Sequence, residues 1–184
     1  MMRTKKDSKE QQQIFVSYAH ADNQPFGANN TKWVSKLVED IRKALRMEAK
    51  DPVIVTDHMF NKSGLLDNRI KEAVEQSSLF IAVVSKPYIK SDFCTKERKI
   101  FKDKYQSEYD SRIIIVEKDK VAKEENPFKS HLRNKFWYRD SESQTNRTLG
   151  LTGAQSEMDA YYLKIHELKI SLCEKLTDLE ENKL

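Results

Sequence analysis

The sequence has few of the residues that build metal sites and disulfide frameworks. It contains two cysteines, Cys94 and Cys173, far apart along the chain, and its four histidines are scattered. Because neither set has the spacing of zinc ligands, we predict no metal site. So few cysteines also fit a reducing compartment, and we expect the protein to be cytoplasmic.

Long hydrophobic segments are also missing. The longest apolar run, at 79–84, is far shorter than the roughly 20 residues that span a bilayer. Residues 1–13 are polar and basic, without the apolar core of a secretory signal, and we interpret them as a disordered tail. We therefore expect no membrane contact and a single domain over residues 14–184.

The sequence lacks the glycine-rich motifs that cradle phosphates. Its four glycines form neither a G-x-G-x-x-G after the first predicted strand nor a Walker A loop, so a Rossmann-type site and a P-loop are unsupported. A phosphoacceptor receiver domain would need an aspartate at the end of the third strand, where this chain has Ser85. No Ser-His-Asp triad can be assembled either.

Charge of one sign does not dominate any long stretch. The chain has 33 basic and 29 acidic residues, a formal net charge of +4, and the two signs are interleaved along most of its length. A nucleic-acid groove would need cations interspersed with aromatic residues on one face, and no such pattern is present. We predict a mixed, solvated surface and no direct nucleic-acid partner.

Apolar runs and helical periodicities alternate along the chain. Short apolar or β-branched runs predict strands at 14–18, 53–56, 79–84, 113–116 and, with a weaker pattern, 136–138. Apolar residues at offsets of three and four predict helices over 31–47, around 70–74, and over 91–105 and 158–181. This alternation favours an α/β fold: a flavodoxin-like, doubly wound sheet of five parallel strands in the order 2-1-3-4-5, with helices on both faces. We interpret the apolar side of the last helix as core packing rather than as a coiled-coil seam.

One residue breaks the pattern of the helix that follows strand three. In such a sheet, ligands bind beyond the carboxyl ends of the strands where the order reverses, here between strands one and three. The helix starts at that edge, and Glu97 lies in the middle of its apolar stripe, four residues after Phe93 and three after Cys94. Since a carboxylate facing an apolar wall is costly unless paired, Glu97 is a candidate functional residue. The alternative is that the helix turns Glu97 to the rim, where it meets Lys96 or Arg98.

Several segments match one family in order along the chain. IFVSYAHADN (14–23) resembles its first box, VIVTD (53–57) its second strand, HMFNKSGLLDNRI (58–70) its BB loop, SKPYIKSDFCTKERKIF (85–101) its pattern S-x-x-[YF]-x-x-S-x-W-C-x-x-E, and DAYYLKIHELKISLCEKL (159–176) its last helix. The chain thus resembles a TIR (Toll/interleukin-1 receptor) domain of the bacterial type over about residues 14–180. Two positions depart from the pattern: Phe93 replaces a tryptophan, and Val55-Thr56 precede Asp57 where bacterial members often have W-R.

The resemblance implies an enzyme that cleaves NAD at the nicotinamide–ribose bond, either a glycohydrolase or a cyclase acting in bacterial antiphage immunity. In such TIR domains the glutamate at the position of Glu97 is the catalytic residue. One carboxylate suffices, because nicotinamide leaves as a neutral base and needs no general acid. NAD is then the substrate, and no cofactor is expected. The implied substrate-binding residues are Ser17, Tyr18, His20, Asp57, Ser85, Tyr88, Ser91, Phe93 and Cys94.

Some of these residues also have a purely structural interpretation, which the sequence leaves open. Ser91 is suited to cap the helix that follows it, and Cys94 to be a small core residue. Tyr18 and Phe93 equally fit core aromatics, and His20 fits a solvated loop residue.

A non-enzymatic signalling module is the alternative function. The resemblance also implies association with other TIR domains, for which the BB loop at 59–68 is the predicted contact. Many adaptor-type TIR domains lack a glutamate at the position of Glu97, so its presence favours the enzyme. Family enzymes often need self-assembly to complete their sites. TIR domains are also commonly fused to sensors or effectors, so we expect a fused or partner sensor or effector and a chain that is one domain of a longer protein.

Overall fold

Strands and long helices alternate in the computed structural model, which describes residues 11–27, 29–56 and 66–181. Within these ranges the strands are β1 (Gln13–Ser17), β2 (Pro25–Phe26), β3 (Thr31–Lys32), β4 (Val53–Thr56), β5 (Leu79–Val84), β6 (Ile113–Glu117), β7 (Arg133–Lys135), β8 (Trp137–Arg139) and β9 (Asn146–Thr148). The helices are α1 (Trp33–Met47), α2 (Leu66–Gln76), α3 (Lys86–Ile89), α4 (Asp92–Tyr105), α5 (Tyr109–Arg112) and α6 (Gln155–Glu181), with 3₁₀ turns at His20–Asn23 and Gln106–Glu108.

The central sheet has five parallel strands in the order β4-β1-β5-β6-β7, which is the predicted 2-1-3-4-5 arrangement. Val16 of β1 lies opposite Thr56 of β4 on one side and Ile81 of β5 on the other. The chain therefore crosses first to one side of β1 and then to the other, so the strand order reverses between β1 and β5. The crevice beyond the carboxyl ends of these two strands is the expected ligand position.

Both faces of the sheet are buried under helices. On β5, Leu79, Ile81 and Val83 pack into a cluster with α1 and α6, and the three intervening residues pack into a second cluster with α2 and α4. The alternation follows from the pleat, which sends successive side chains to opposite faces. A strand buried on both sides in this way confirms the doubly wound α/β fold.

The fifth strand of the sheet is not the segment predicted at 136–138. It is β7, a polar strand that pairs with β6 at the edge of the sheet. Trp137–Arg139 instead forms an antiparallel hairpin with Asn146–Thr148. The apolar pattern misplaced this strand because an edge strand is half solvated and needs no apolar run. Phe136, which suggested a strand, is a fully buried aromatic beside Trp33.

The ends of the domain differ slightly from the prediction. β1 begins at Gln13, the last residue of the predicted tail, and residues 1–10 lie outside the described ranges. α6 begins at Gln155, three residues early, and its buried side packs against α1, which confirms core packing. Tyr162, which the offset of three to Ile165 predicts on the apolar side of this helix, is 50% exposed, and Tyr161 is buried in its place. In the described part of the chain no helix, α6 included, is both long and apolar enough to cross a membrane.

Glu157, in the first turn of α6, ties the start of this helix to the preceding loop. Its Oε1 accepts hydrogen bonds from the backbone N–H groups of Leu151 at 2.7 Å and Thr152 at 3.0 Å, and its Oε2 accepts one from the Thr152 hydroxyl. Burial acts to raise the pKa of Glu157, but these hydrogen bonds outweigh it and hold the pKa below its ordinary value.

Replacing Glu157 by glutamine is expected to lower the free energy of unfolding at neutral pH by about 1.5–3 kcal/mol, because a charged acceptor of several hydrogen bonds is lost. The folded-state pKa of Glu157 lies below that of the unfolded chain. Its stabilisation is therefore present above the ordinary value of 4.5 and disappears as the pH falls through the folded-state pKa. Urea unfolding of both proteins from neutral to acidic pH measures the difference. A difference that stays constant with pH would contradict this role.

Candidate functional site

The carboxyl end of β1 carries a buried serine. Ser17 is the last residue of β1 and pairs with Ala82 of β5, and its side chain reaches α4. Its hydroxyl donates a hydrogen bond of 2.6 Å to Oε2 of Glu97. This contact places the carboxylate of Glu97 at the crevice where the strand order reverses.

Glu97 lies on the buried side of α4. Ser91 caps the helix by accepting a hydrogen bond from the N–H of Cys94, and Cys94, Glu97 and Phe101 follow at offsets of three and four as its buried residues. Glu97 is only 4% exposed. The alternative in which the helix turns Glu97 to the rim is therefore wrong. The pattern violation in the sequence corresponds to a buried acid, for which the Ser17 hydroxyl supplies the hydrogen bond that burial requires.

A second buried hydroxyl adjoins this pair. Tyr88, in α3, is fully buried, and its hydroxyl oxygen lies 3.4 Å from Oγ of Ser17. Burial raises the pKa of Tyr88 well above its ordinary value, so the phenol stays protonated. The Ser17 hydroxyl has a single proton and donates it to Glu97, which is the nearer of its two partners. A hydrogen bond between Tyr88 and Ser17 therefore uses the proton of the Tyr88 phenol. We call Tyr88, Ser17 and Glu97 the Glu97 cluster.

Another buried carboxylate lies at the same edge of the sheet. Asp22, in the 3₁₀ turn after β1, is 5% exposed and accepts a hydrogen bond of 2.5 Å from the hydroxyl of Ser85, which follows β5. The ammonium of Lys118, directly after β6, lies 3.2 Å from its other oxygen. Burial raises the pKa of Asp22, although the Ser85 hydrogen bond and the Lys118 charge act in the opposite direction. Asp22 thus joins the ends of β1, β5 and β6.

The family of the chain follows from its sequence together with this sheet. The sequence matches the family model of the TIR domain over residues 14–149, from β1 to just beyond β9. The chain belongs to the TIR domain family. The match supports the bacterial type that the sequence resembles. A comparison with curated proteins finds no match. TIR domains are signalling modules that interact with other TIR domains, and the family includes members that cleave NAD.

Asp22 and Lys118 of this TIR domain were not among the predicted site residues. The strand pattern could have indicated both residues, because Asp22 belongs to the first box and Lys118 follows a buried strand. The carboxyl ends of parallel strands meet at one edge, but the pattern does not show which side chains pair there. Within the described ranges, no three His, Cys, Asp or Glu side chains are grouped so that they could hold a metal ion.

Two of the predicted substrate-binding serines cap helices in this TIR domain. Ser85 accepts a hydrogen bond from the N–H of Tyr88 at 3.0 Å at the start of α3, and Ser91 accepts one from the N–H of Cys94 at 3.2 Å at the start of α4. Cys94 is 1% exposed in the cluster on the α2 and α4 face. The structural interpretations of Ser91 and Cys94 are therefore confirmed. Their binding of substrate stays a prediction.

Tyr18, His20 and Phe93 lie outside the Glu97 cluster. Tyr18 is buried in the cluster on the α1 and α6 face, away from Ser17, because successive residues of a strand alternate between faces. His20 is exposed, with its ring 6.2 Å from that of Tyr18. Phe93 is 44% exposed in the first turn of α4, so its interpretation as a core aromatic is wrong. Asp57 lies outside the described residues, as does most of the BB loop.

Proposed function

We propose that this TIR domain cleaves NAD at the bond between nicotinamide and ribose, as a glycohydrolase or a cyclase in bacterial antiphage signalling, with Glu97 as the catalytic residue. The observation that carries the proposal is the Ser17–Glu97 hydrogen bond, which fixes a buried carboxylate at the crevice between β1 and β5. In this proposal NAD is the substrate, and the protein uses neither a cofactor nor a metal.

A single carboxylate is enough for this reaction. The nicotinamide nitrogen of NAD is a cationic pyridinium, so the C1′–N bond breaks with both electrons going to nitrogen, and nicotinamide departs neutral. No side chain has to protonate it, unlike the leaving oxygen of an ordinary glycoside. Water then adds to C1′ and releases a proton, which gives ADP-ribose. In a cyclase, a nucleophilic atom of the same substrate takes the place of water.

The task left for the protein is to stabilise the positive charge that develops on the ribose. The charge of Glu97 does so more strongly in apolar surroundings than in water. Because Ser17 holds one carboxylate oxygen at 2.6 Å, the charge is in position before the bond breaks. A charge that is already oriented needs no reorganisation in the transition state. Tyr88 supports this orientation through its contact with Ser17.

Access to Glu97 requires a rearrangement. A ribose cannot reach a carboxylate that is 4% exposed unless part of the surrounding protein moves. TIR domains interact with other TIR domains, and a contact between two copies is a means of causing that movement. We therefore propose that the activity depends on self-association.

This function is tested by incubating the protein with NAD over a series of protein concentrations and following nicotinamide release by chromatography. We expect the activity per molecule to rise with protein concentration, because mass action favours the associated form that completes the site. A constant activity per molecule would contradict the role of self-association. If no nicotinamide is released at the highest protein concentration, even with a crowding agent added to force assembly, the proposal that the protein is an enzyme is contradicted.

The second candidate function is a TIR–TIR interaction module without turnover. It is favoured by the same hydrogen bond, because a carboxylate satisfied inside the protein by Ser17 needs no substrate to explain its burial. In that case Glu97→Gln would lower stability or self-association in a protein that never releases nicotinamide. The concentration series therefore separates the two functions.

A further inference from the structure

A cleft with a volume of about 290 Å³ lies between the ends of two sheet strands and the β8–β9 hairpin. It is lined by residues that follow β5 and β6 and by residues of the hairpin, namely Lys86, Asp119, Lys120, Trp137, Asn146 and Arg147. None of them belongs to the Glu97 cluster. The volume is close to the lower end of the range for small-molecule sites, so a small ligand fits the cleft better than a macromolecular segment.

The lining of the cleft has an excess of positive charge. Among the cations of the lining, Arg147 has an acidic partner, because its guanidinium lies 3.4 Å from the carboxylate of Asp140. In the part of the chain that the structure describes, neither Lys86 nor Lys120 forms an ion pair. Two ammonium groups are thus left uncompensated at one small concave surface, which attracts an anion.

The single acidic residue of the lining does not offset this charge. Asp119 accepts a hydrogen bond of 2.8 Å from the hydroxyl of Thr148, and its other oxygen lies 3.4 Å from the ammonium of Lys118. Lys118 is not part of the lining. The partners of the Asp119 carboxylate are therefore Thr148 and Lys118, and not Lys86 or Lys120.

The indole ring of Trp137 holds positive charge at the wall of the cleft. The ammonium groups of Lys120 and Lys135 each lie 5.7 Å from the centroid of its ring, so two like charges are held around one indole. The indole N–H is buried, and no described residue accepts a hydrogen bond from it.

We propose that this cleft binds a diphosphate group, either as inorganic pyrophosphate or within a nucleoside diphosphate. A diphosphate carries more than one negative charge at neutral pH, which matches the two uncompensated ammonium groups of Lys86 and Lys120. Its oxygens accept hydrogen bonds from these ammonium groups and from the Asn146 amide. The residues of this cleft are not those of the Glu97 cluster, so the proposal does not rest on the cleavage of NAD.

The test uses the fluorescence of Trp137 during titration with ADP, and separately with pyrophosphate, at constant ionic strength. Trp33, the other tryptophan, is only 1% exposed, so a change on binding is expected from Trp137. We expect both probes to give a saturable change that Trp137→Phe removes. Lys86→Gln and Lys120→Gln should each weaken binding roughly tenfold, the value of one charged hydrogen bond. Glu97→Gln should bind as the wild type does, even if Glu97 has no catalytic role.

Lys99→Gln is the matched control, because Lys99 is an exposed lysine of α4 that does not line the cleft. Its affinity for both probes should equal that of the wild type. Equal affinity for ADP and pyrophosphate would identify the diphosphate alone as the ligand, and tighter binding of ADP would identify a nucleotide. The proposal is overturned if neither probe gives a saturable change, or if Lys99→Gln weakens binding as much as Lys120→Gln does.

Discussion

Replacing Glu97 by glutamine is expected to lower the rate of nicotinamide release by about 10²–10³-fold, the usual cost of removing one preorganised electrostatic group. Glutamine has almost the same shape and still accepts a hydrogen bond from Ser17, but it has no negative charge for the developing ribose cation. The initial rate is measured with concentrated protein and saturating NAD. Circular dichroism checks that the variant is folded.

The fold should survive this substitution. The Ser17 hydroxyl keeps an acceptor at 97, so the loss of unfolding free energy should stay near the net value of one hydrogen bond, about 1 kcal/mol. If the variant is folded and as active as the wild type, Glu97 is a structural residue. If it is destabilised by several kcal/mol, its rate says nothing about charge, and the loss of activity must be measured at a lower temperature at which the variant is folded.

Replacing Gly150 by alanine is expected to lower the free energy of unfolding by about 2–5 kcal/mol, from left-handed backbone strain of ~1–2 kcal/mol and overpacking of ~1–3 kcal/mol. Gly150 has a φ of +83°, and an added Cβ would lie 2.7 Å from Cδ2 of Tyr161. That ring cannot retreat easily, because it is fully buried against Phe136 and its hydroxyl donates a 3.0 Å hydrogen bond to Asp40. Urea unfolding measures the loss.

Gly153→Ala is the control for this substitution. Gly153 also has a positive φ, +77°, but an added Cβ would meet nothing within 4 Å. This variant should therefore show the backbone strain alone, and the difference between the two variants measures the clash with Tyr161. Equal losses of unfolding free energy would show that the ring yields and that the packing of α6 at this point is loose.

The position of Glu97 could be predicted from the sequence because it depends on local periodicity. The offsets from Cys94 to Glu97 and from Glu97 to Phe101 place these residues on one side of a helix wherever that helix packs. The same holds for β5, whose unbroken apolar run requires cover on both faces. Where a helix or strand has a clear hydrophobic periodicity, its buried positions can therefore be predicted from the sequence.

Contacts between distant elements could not be predicted in this way. The polar strand β7 has no apolar signal, because its position is set by pairing with β6 rather than by burial. Likewise, spacing places Asp22, Ser85 and Lys118 at one edge, but it does not show that the first accepts a hydrogen bond from the second and pairs with the third.

Tyr18 and Phe93 show where local reasoning about the site fell short. The resemblance implies substrate binding by both Ser17 and Tyr18, yet adjacent residues of an extended chain send their side chains to opposite faces, and Tyr18 packs on the α1 and α6 face. Phe93 shares the periodicity of the buried stripe, but it lies in the first turn of α4, and periodicity does not show whether a neighbouring element covers a helix end.

The most direct test of the role of Glu97 compares two buried glutamates. Nicotinamide release is measured for Glu97→Gln and Glu157→Gln at the same concentration of folded protein. Each variant removes one buried carboxylate, but only Glu97 lies at the crevice between β1 and β5. A catalytic Glu97 predicts a rate for Glu97→Gln that is about 10²-fold or more below that of Glu157→Gln, although Glu157→Gln is the less stable protein. Equal rates in the two variants would contradict it.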